Sequence, residues 1–170
     1  MMATGSKPGD INNDGRPDLV ASGLAVGELI WYENPSWTPR KIAKFPKPVA
    51  LDCGDIDGDG LIDLVACHGY GSCMYHCKPE DGKLSWLSNP GEPKGQWKVF
   101  PIGDLMATHR LRLGHFTREH SLELLALPVV GPNGVHQPVL VTLYQAPANP
   151  LSNRLWPANL VDQASFRQGA

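Results

Sequence analysis

The feature that most constrains the fold of this chain is an aspartate-rich stretch at residues 54–67, which reads GDIDGDGLIDLVAC. Glycines between the acidic residues allow a sharp bend. Carboxylates this close repel one another unless a cation lies among them. Ca²⁺, or Mg²⁺, suits such a loop because both ions take oxygen ligands, including backbone carbonyls. The expected ligands are the first, third, fifth and ninth side chains and the seventh carbonyl, which are Asp55, Asp57, Asp59, Asp63 and Leu61.

The stretch begins like an EF-hand loop but ends differently. An EF-hand requires a bidentate glutamate at its twelfth place, and this chain has Ala66 there, inside the apolar run 64–67. Such a run predicts a strand instead of a helix. The sequence therefore predicts a calcium loop that leads into a strand. An aspartate- and glycine-rich hairpin turn without a metal is the alternative.

The same pattern occurs at residues 9–22, which read GDINNDGRPDLVAS, 45 residues earlier in the chain. We predict a second calcium loop there. Its expected ligands, in the same order of places and with a backbone carbonyl at the seventh, are Asp10, Asn12, Asp14, Arg16 and Asp18.

A weaker third copy, GHFTREHSLELLAL at residues 114–127, keeps the first glycine and the terminal apolar run. We interpret it as having lost its carboxylates, with Arg118 at a ligand position. His115 and His120 are expected to face solvent. No calcium is therefore predicted at this third loop.

Each loop opens a longer repeat of short strands. The segment IWYENP after the first loop corresponds to LSWLSNP after the second, and Trp37 corresponds to Trp97. We predict repeat units at about residues 9–53, 54–113 and 114–162, followed by a tail at 163–170. Repeats of this length with about four strands each predict an all-β fold, a partial β-propeller of about three blades. A β-sandwich is the alternative.

Three blades would leave unpaired strand edges. We therefore expect this chain to be a piece of a longer protein that supplies the remaining blades, or else to associate with copies of itself. Propellers close with four to eight blades.

Composition excludes several classes of protein. Hydrophobic residues make up 42% and charged residues 19% of the 170 residues, which is typical of a globular chain. The net charge of −2 gives no reason to expect nucleic acid or an anionic membrane as a partner. The first ten residues contain no apolar secretion signal. We therefore favour a cytoplasmic over a secreted location.

Two family resemblances follow from these motifs. The two intact loops, with the IWYENP strand, resemble the FG-GAP/VCBS repeats of integrin-type β-propellers. The segments DGKLSWLSNP (81–90) and THRLRLGHF (108–116), with the chain to residue 162, resemble the N-terminal propeller of the fungal aldos-2-ulose dehydratase (pyranosone dehydratase) family. The second resemblance implies a seven-bladed propeller followed by cupin and lectin-like domains, of which this chain would supply only part.

The same resemblance implies a function, a hydro-lyase that dehydrates 2-keto sugars such as glucosone and 1,5-anhydrofructose at a catalytic zinc in the propeller. His109 is the implied zinc ligand; strand alternation places it on the face opposite Arg110 and Arg112. Asp52 stands where the family carries a histidine, and we expect it to act as a base or ligand. Other zinc ligands would come from missing blades, so this chain alone should be inactive. The alternative is a non-catalytic calcium-binding propeller that binds glycans or proteins.

The segment ACHGYGSCMYHC collects further metal-binding residue types (Cys67, His68, Cys73, His76 and Cys77). Thiolates and imidazoles at short spacing can bind structural zinc, and a disulfide would require an oxidising compartment. The spacing matches no closed zinc motif, so we expect free cysteines in a loop. Cys67 is expected at the end of a buried strand.

Overall fold

The chain forms three antiparallel sheets of four strands each. The computed structural model describes residues 3–71, 73, 77–131 and 138–164, with backbone alone at 3–5 and 163–164. In every sheet the strands are hydrogen-bonded in chain order. Sheet I contains β1 (Ala3–Gly9), β2 (Asp18–Gly23), β3 (Glu28–Glu33) and β4 (Thr38–Lys44). Sheet II contains β5 (Ala50–Gly54), β6 (Asp63–His68), β7 (Lys83–Ser88) and β8 (Lys98–Asp104). Sheet III contains β9 (Thr108–Gly114), β10 (Glu123–Pro128), β11 (Val139–Gln145) and β12 (Ala158–Ala164).

A turn of the same length joins the first two strands of each sheet. It leaves the first strand at a glycine and enters the second at an acidic residue that pairs with that glycine. We name these turns loop 1 (residues 10–18), loop 2 (55–63) and loop 3 (115–123). Because the three turns follow equivalent strands, the fold places all three at the same end of their sheets.

Sheet II lies between the other two. One apolar cluster joins it to sheet I through side chains such as Leu29, Leu64 and Leu87. A second cluster joins it to sheet III through side chains such as Val65, Trp86 and Leu124. Strand β6 is therefore covered on both faces, which explains why it reads as a continuous apolar run instead of an alternating one.

The first strands of the three sheets are neighbours, since β1 contacts β5 and β5 contacts β9. The outer strands carry more polar sequences. Strand β4, for example, contains Pro39, which an edge strand tolerates. The outward faces of sheets I and III are only partly covered, with Leu19 38% exposed and Leu125 and Leu127 half-buried.

The prediction of an all-β fold is confirmed, and the strands fall where the apolar runs placed them. The sheet bounds differ from the predicted repeat units, because each sheet begins one strand before its loop. That strand, β5 for example, pairs across the loop with β6. The predicted tail also starts later, since β12 extends to Ala164. Within the described ranges, no helix is long and apolar enough to cross a bilayer.

Candidate functional site

Loop 2 brings three of its predicted carboxylates together. Asp55, Asp57 and Asp63 each offer an oxygen within 4.8 Å of the others. The loop is shaped around Asp55, whose two oxygens accept the amide hydrogens of Gly58 (2.8 Å) and Gly60 (3.0 Å). Both glycines have positive φ, 79° and 85°, which other L-residues seldom adopt. The spacing of the aspartates and glycines therefore produces a compact, oxygen-lined turn.

Asp63 is the innermost member of this set, with no exposed surface. Its oxygens accept the amide hydrogens of Asn89 (2.8 Å) and Ile56 (3.0 Å). Burial raises its pKa to about 7 even though these two hydrogen bonds lower it. An ionised Asp63 is thus costly in the bare loop, and a bound cation would offset that cost.

Asp59, at the fifth place of loop 2, does not belong to the close set formed by the other three carboxylates. The Asp59 carboxylate accepts the Leu61 amide hydrogen at 2.8 Å. Burial, followed by repulsion from Asp59, raises the pKa of Asp57. The donor set is all oxygen, the type that Ca²⁺ and Mg²⁺ take.

Loop 1 is also shaped around its first aspartate, since Asp10 accepts the amide hydrogens of Asp14 (3.0 Å) and Gly15 (2.8 Å). The Gly15 bond is the counterpart of the Gly60 bond in loop 2. Among the described residues, the carboxylates of loop 1 do not form a close group of three like that of loop 2. Asp18 is buried and, like Asp63, accepts two amide hydrogens, from Ile11 (3.1 Å) and Asn34 (2.8 Å). The Arg16 amide donates to Asp14 Oδ1 at 2.9 Å, just as Leu61 does to Asp59.

One carboxylate beside loop 1 was missed by sequence reasoning. Glu33 at the end of β3 accepts a hydrogen bond from Asn12 Nδ2 at 3.2 Å. It is also paired with Arg40, whose guanidinium lies 5.5 Å from the centre of the Trp31 ring. Glu33 lies 21 residues from Asn12 in sequence, and the only available signal was its place in the repeated IWYENP segment.

The interpretation of loop 3 was wrong in two respects. Counted from His115, Arg118 occupies the fourth place, which is not a ligand position, and carboxylates remain at the fifth and ninth places, Glu119 and Glu123. Glu123 is fully buried. It begins strand β10 and pairs with Gly114, just as Asp63 begins β6 and pairs with Gly54. It was the residue that sequence reasoning should have found.

Glu123 is satisfied by protein hydrogen bonds. It accepts from the Phe116 amide (3.0 Å), from the Thr117 amide and hydroxyl (both 2.6 Å) and from Gln145 Nε2 (3.2 Å). Burial would raise its pKa, but these hydrogen bonds lower it below the usual value. Neither Arg118 nor His120 has the positive φ of the matching residues in loop 2. Loop 3 thus has a different backbone and internal donors in place of converging carboxylates.

Residues 115–120 of loop 3 are exposed, as predicted for His115 and His120. His115 Nδ1 nevertheless lies 3.1–3.2 Å from the carbonyl oxygens of Arg118 and Ser121. Arg118 donates to Gln145 Oε1 at 2.9 Å and to the Ala146 carbonyl at 3.4 Å.

Asp52 links three neighbouring strands. Its Oδ1 lies 3.2 Å from Lys7 Nζ on β1, and its Oδ2 accepts the Leu113 amide hydrogen on β9 at 2.9 Å. Asp52 as a whole residue is 7% exposed. These contacts indicate a tie between the first strands of the three sheets.

His109 lies elsewhere on β9, four residues before Leu113, a distance of about 13 Å along a strand. Its half-buried ring meets Tyr70 edge-on, with 5.6 Å between ring centres, and its Nδ1 faces the Arg110 guanidinium. Burial, and then the charge of Arg110, lower its pKa. The two predicted catalytic residues, Asp52 and His109, are therefore not brought together.

Zinc has a poor fit to the residues that the structure describes. Among the described residues, no group of three or more His, Cys, Asp or Glu side chains includes His109 or Asp52. The one candidate imidazole also has a cation beside it. A zinc site at His109 would need ligands from outside these residues.

The cysteine-rich segment differs from the expectation of free thiols. Cys73 and Cys77 form a disulfide, whereas Cys53 and Cys67 are free. Cys67 ends a buried strand as predicted, and its thiol donates to the Thr108 carbonyl. His68 instead stacks on Phe45. Cys73 and Cys77 lie close to Asp81, but both sulfurs are taken up by the disulfide and are not thiolate ligands. His76 lies outside the described residues.

Comparison with known proteins places these features in a family. The sequence profile of the aldos-2-ulose dehydratase β-propeller domain matches residues 81–168, just over half of the chain. That of the FG-GAP-like repeat matches residues 10–66, which include loops 1 and 2.

The chain is also similar to aldos-2-ulose dehydratase from Phanerodontia chrysosporium. The two are 38% identical over 130 residues, which are 76% of this chain and 14% of that enzyme. The chain thus spans a small part of the length of the relative it matches. Its three sheets, its FG-GAP-like loops and this similarity together show that the chain belongs to the aldos-2-ulose dehydratase β-propeller family.

Proposed function

We propose that this chain is part of the propeller of a hydro-lyase that eliminates water from 2-keto sugars such as glucosone and 1,5-anhydrofructose. The observation that carries this proposal is the 38% identity to an aldos-2-ulose dehydratase over 76% of the chain. The similarity covers the propeller region alone, so the activity is proposed for the full-length protein and not for these 170 residues by themselves.

In this proposal the three sheets are three blades of a seven-bladed propeller. Support comes from their chain-order topology and from the adjacency of β1, β5 and β9, the strands that would surround a central channel. The partly covered outward faces of sheets I and III would receive the neighbouring blades. Self-association would cover the same faces in the isolated chain.

Calcium, or magnesium, in loops 1 and 2 is the structural part of the proposal. The convergence of Asp55, Asp57 and Asp63, with Asp63 buried, supports a cation in loop 2. In loop 1 the first aspartate, Asp10, likewise accepts two backbone amide hydrogens from within its loop. Such ions would fix the starts of β2 and β6 and so hold each of these strands in register with the strand before its loop.

The catalytic part rests on His109. Burial and Arg110 lower the pKa of its imidazole, which favours the neutral form that can bind a metal or accept a proton. Zinc, where the full propeller binds it, would polarise the ketone oxygen as a Lewis acid. This chain would contribute His109 to a site whose other ligands lie elsewhere, with Tyr70 holding the imidazole ring edge-on.

The test is dehydration of 1,5-anhydrofructose by the full-length protein carrying His109→Ala. We expect loss of turnover and of bound zinc by metal analysis, because the imidazole is removed from the reacting centre. Arg112→Ala, three residues further along β9, is the control and should keep both. Near wild-type dehydration with zinc retained would show that His109 is only a packed strand residue.

A non-catalytic, calcium-bound propeller that binds glycans or proteins is the second candidate. It is favoured by Asp52, which stands where the family carries a histidine. The Asp52 carboxylate already pairs with Lys7 and accepts the Leu113 amide hydrogen, which is the role of a structural residue. Absence of any dehydration by the full-length protein, together with calcium binding to loops 1 and 2, would select this function.

A further inference from the structure

A cleft of about 870 Å³ lies between loops 2 and 3. We name it the loop cleft; its walls are residues 54–58, residue 115, residues 118–122, and the proline-containing segment at 146–148 and 150. Loop 2 and loop 3 are held closely here, since a Cβ on Gly54 would lie 2.9 Å from Leu122 Cδ1. The volume is within the range of small-molecule sites, about 300–1,000 Å³.

One wall of the loop cleft carries a fixed positive charge. Arg118 is held by Gln145 Oε1 and the Ala146 carbonyl, and Gln145 in turn donates to the buried Glu123. Both acceptors of Arg118 are neutral. Across the described part of the chain, no carboxylate forms an ion pair with its guanidinium. A positioned guanidinium without a counter-ion is suited to binding a carboxylate, since its planar donors match the two oxygens.

The opposite wall belongs to loop 2. Asp55 and Asp57 line the loop cleft, whereas Asp59 and Asp63 do not. In the absence of a cation these carboxylates, with Glu119, would repel an anion. With a cation in loop 2 they would be neutralised. Ca²⁺ takes about six to eight oxygens, and the loop offers five residues, so ligand hydroxyls can complete its shell.

We propose that the loop cleft binds a sugar acid, with its carboxylate on Arg118 and its hydroxyls toward loop 2. The polyol part of the ligand distinguishes it from a simple carboxylate, and its charge distinguishes it from a neutral sugar. The calcium dependence of this binding rests on the proposed cation in loop 2, whereas the contact between Arg118 and the ligand carboxylate is independent of that cation.

Calorimetric titration of the full chain with D-gluconate tests this proposal, with D-glucose as the neutral probe. In calcium buffer we expect gluconate to bind at least about tenfold more tightly than glucose, because a charged hydrogen-bonded pair contributes that much. Arg118→Gln should weaken gluconate binding by at least about tenfold, and Arg118→Lys by less, since lysine keeps the charge without the planar fork. Arg112→Gln is the matched control, an exposed arginine that also donates to a backbone carbonyl, and should leave binding unchanged.

Equal affinity of the wild type and Arg118→Gln for gluconate would overturn the proposal, and so would equal binding of gluconate and glucose. Weaker gluconate binding in chelator supports the orientation of the hydroxyls toward loop 2, and unchanged binding overturns that orientation. Calcium binding measured alone, and dehydration measured in the His109 variant, test the proposed function separately. His109 lies near the start of β9 and loop 3 follows its end, so either proposal can fail without the other.

Discussion

At the residue scale, three buried acids occupy one position of the repeat and are satisfied in two ways. Asp18 and Asp63 each accept two backbone amide hydrogens. Glu123 is one methylene longer and reaches the amide and hydroxyl of Thr117 inside loop 3. The longer side chain therefore replaces, with protein donors, the charge compensation that a cation would provide.

Replacing Glu123 with glutamine should destabilise the chain equally in calcium and in chelator. The amide cannot accept all the hydrogen bonds of the carboxylate, and leaving buried donors unpaired costs about 1–3 kcal/mol. For a chain of this size each kcal/mol lowers the melting temperature by about 2–4 °C. Thermal unfolding followed by circular dichroism measures the change.

The control is Glu119→Gln, an exposed side chain on the same loop, which should change the melting temperature little. A loss of stability in Glu123→Gln that appears only in calcium would contradict this assignment, because it would indicate a cation at loop 3.

His68 should make stability depend on pH. Its Nε2 lies 3.0 Å from Ser85 Oγ, and burial, followed by the charge of Lys83, lowers its pKa to about 4. The unfolded imidazole binds its proton near 6.5. Between these two values the unfolded state binds more protons, so stability should be full above about 6.5 and should fall as the pH drops toward 4.

Comparing His68→Gln with the wild type in denaturant titrations from pH 7.5 to 4 measures this contribution. The variant should be less stable than the wild type at pH 7.5. The difference between their free energies of unfolding should narrow on acidification, because only the wild type loses the contribution of a neutral His68. An identical pH slope in both proteins would show that His68 does not titrate in this range.

At the element scale, the parts that sequence reasoning could predict are those set by local spacing. The compact turn of loop 2, with Asp55, Asp57 and Asp63 close together, and the buried strand β6 both follow from residues within a few places of one another. The tie from Asp52 to Lys7 and Leu113 could not be predicted, because it depends on how three distant strands pack. The buried Glu123 was missed for a local reason, a miscounted register in loop 3.

Asp57→Ala should lower the melting temperature in calcium and change it little in chelator. The substitution removes one of the three converging carboxylates of loop 2 and therefore weakens cation binding to the folded state, which lowers stability by mass action. Glu80→Ala, an exposed acid outside the loops, is the control. Equal effects of Asp57→Ala in both buffers would argue that loop 2 is an ordinary turn.

At the scale of the whole molecule, sheet II has a neighbouring sheet on each face, whereas sheets I and III each have one partly covered outward face. Strand β6 of sheet II is buried on both faces, whereas Leu19 on sheet I and Leu160 on sheet III are 38% and 55% exposed. This asymmetry is what a section of a larger ring would show. The Cys73–Cys77 disulfide is of a kind that persists in oxidising compartments, whereas a cytoplasmic location stays a prediction from sequence.

The isolated 170-residue chain should therefore self-associate or have a low melting temperature. Open apolar faces and unpaired edges favour contact between copies. Light scattering across a concentration series, with thermal unfolding of the same samples, measures both properties. A monomer of constant mass with a sharp unfolding transition would contradict the proposal that neighbouring blades are required.

The number of calcium ions bound per chain tests most directly the claim that loops 1 and 2 hold cations, whereas in loop 3 the hydrogen-bond donors around Glu123 take the place of a cation. Protein stripped with chelator is reloaded and titrated with calcium in a calorimeter. The wild type and Glu123→Gln should each bind two calcium ions per chain, and Asp57→Ala should bind one. A third ion, or no calcium at all, would contradict the assignment of the three loops.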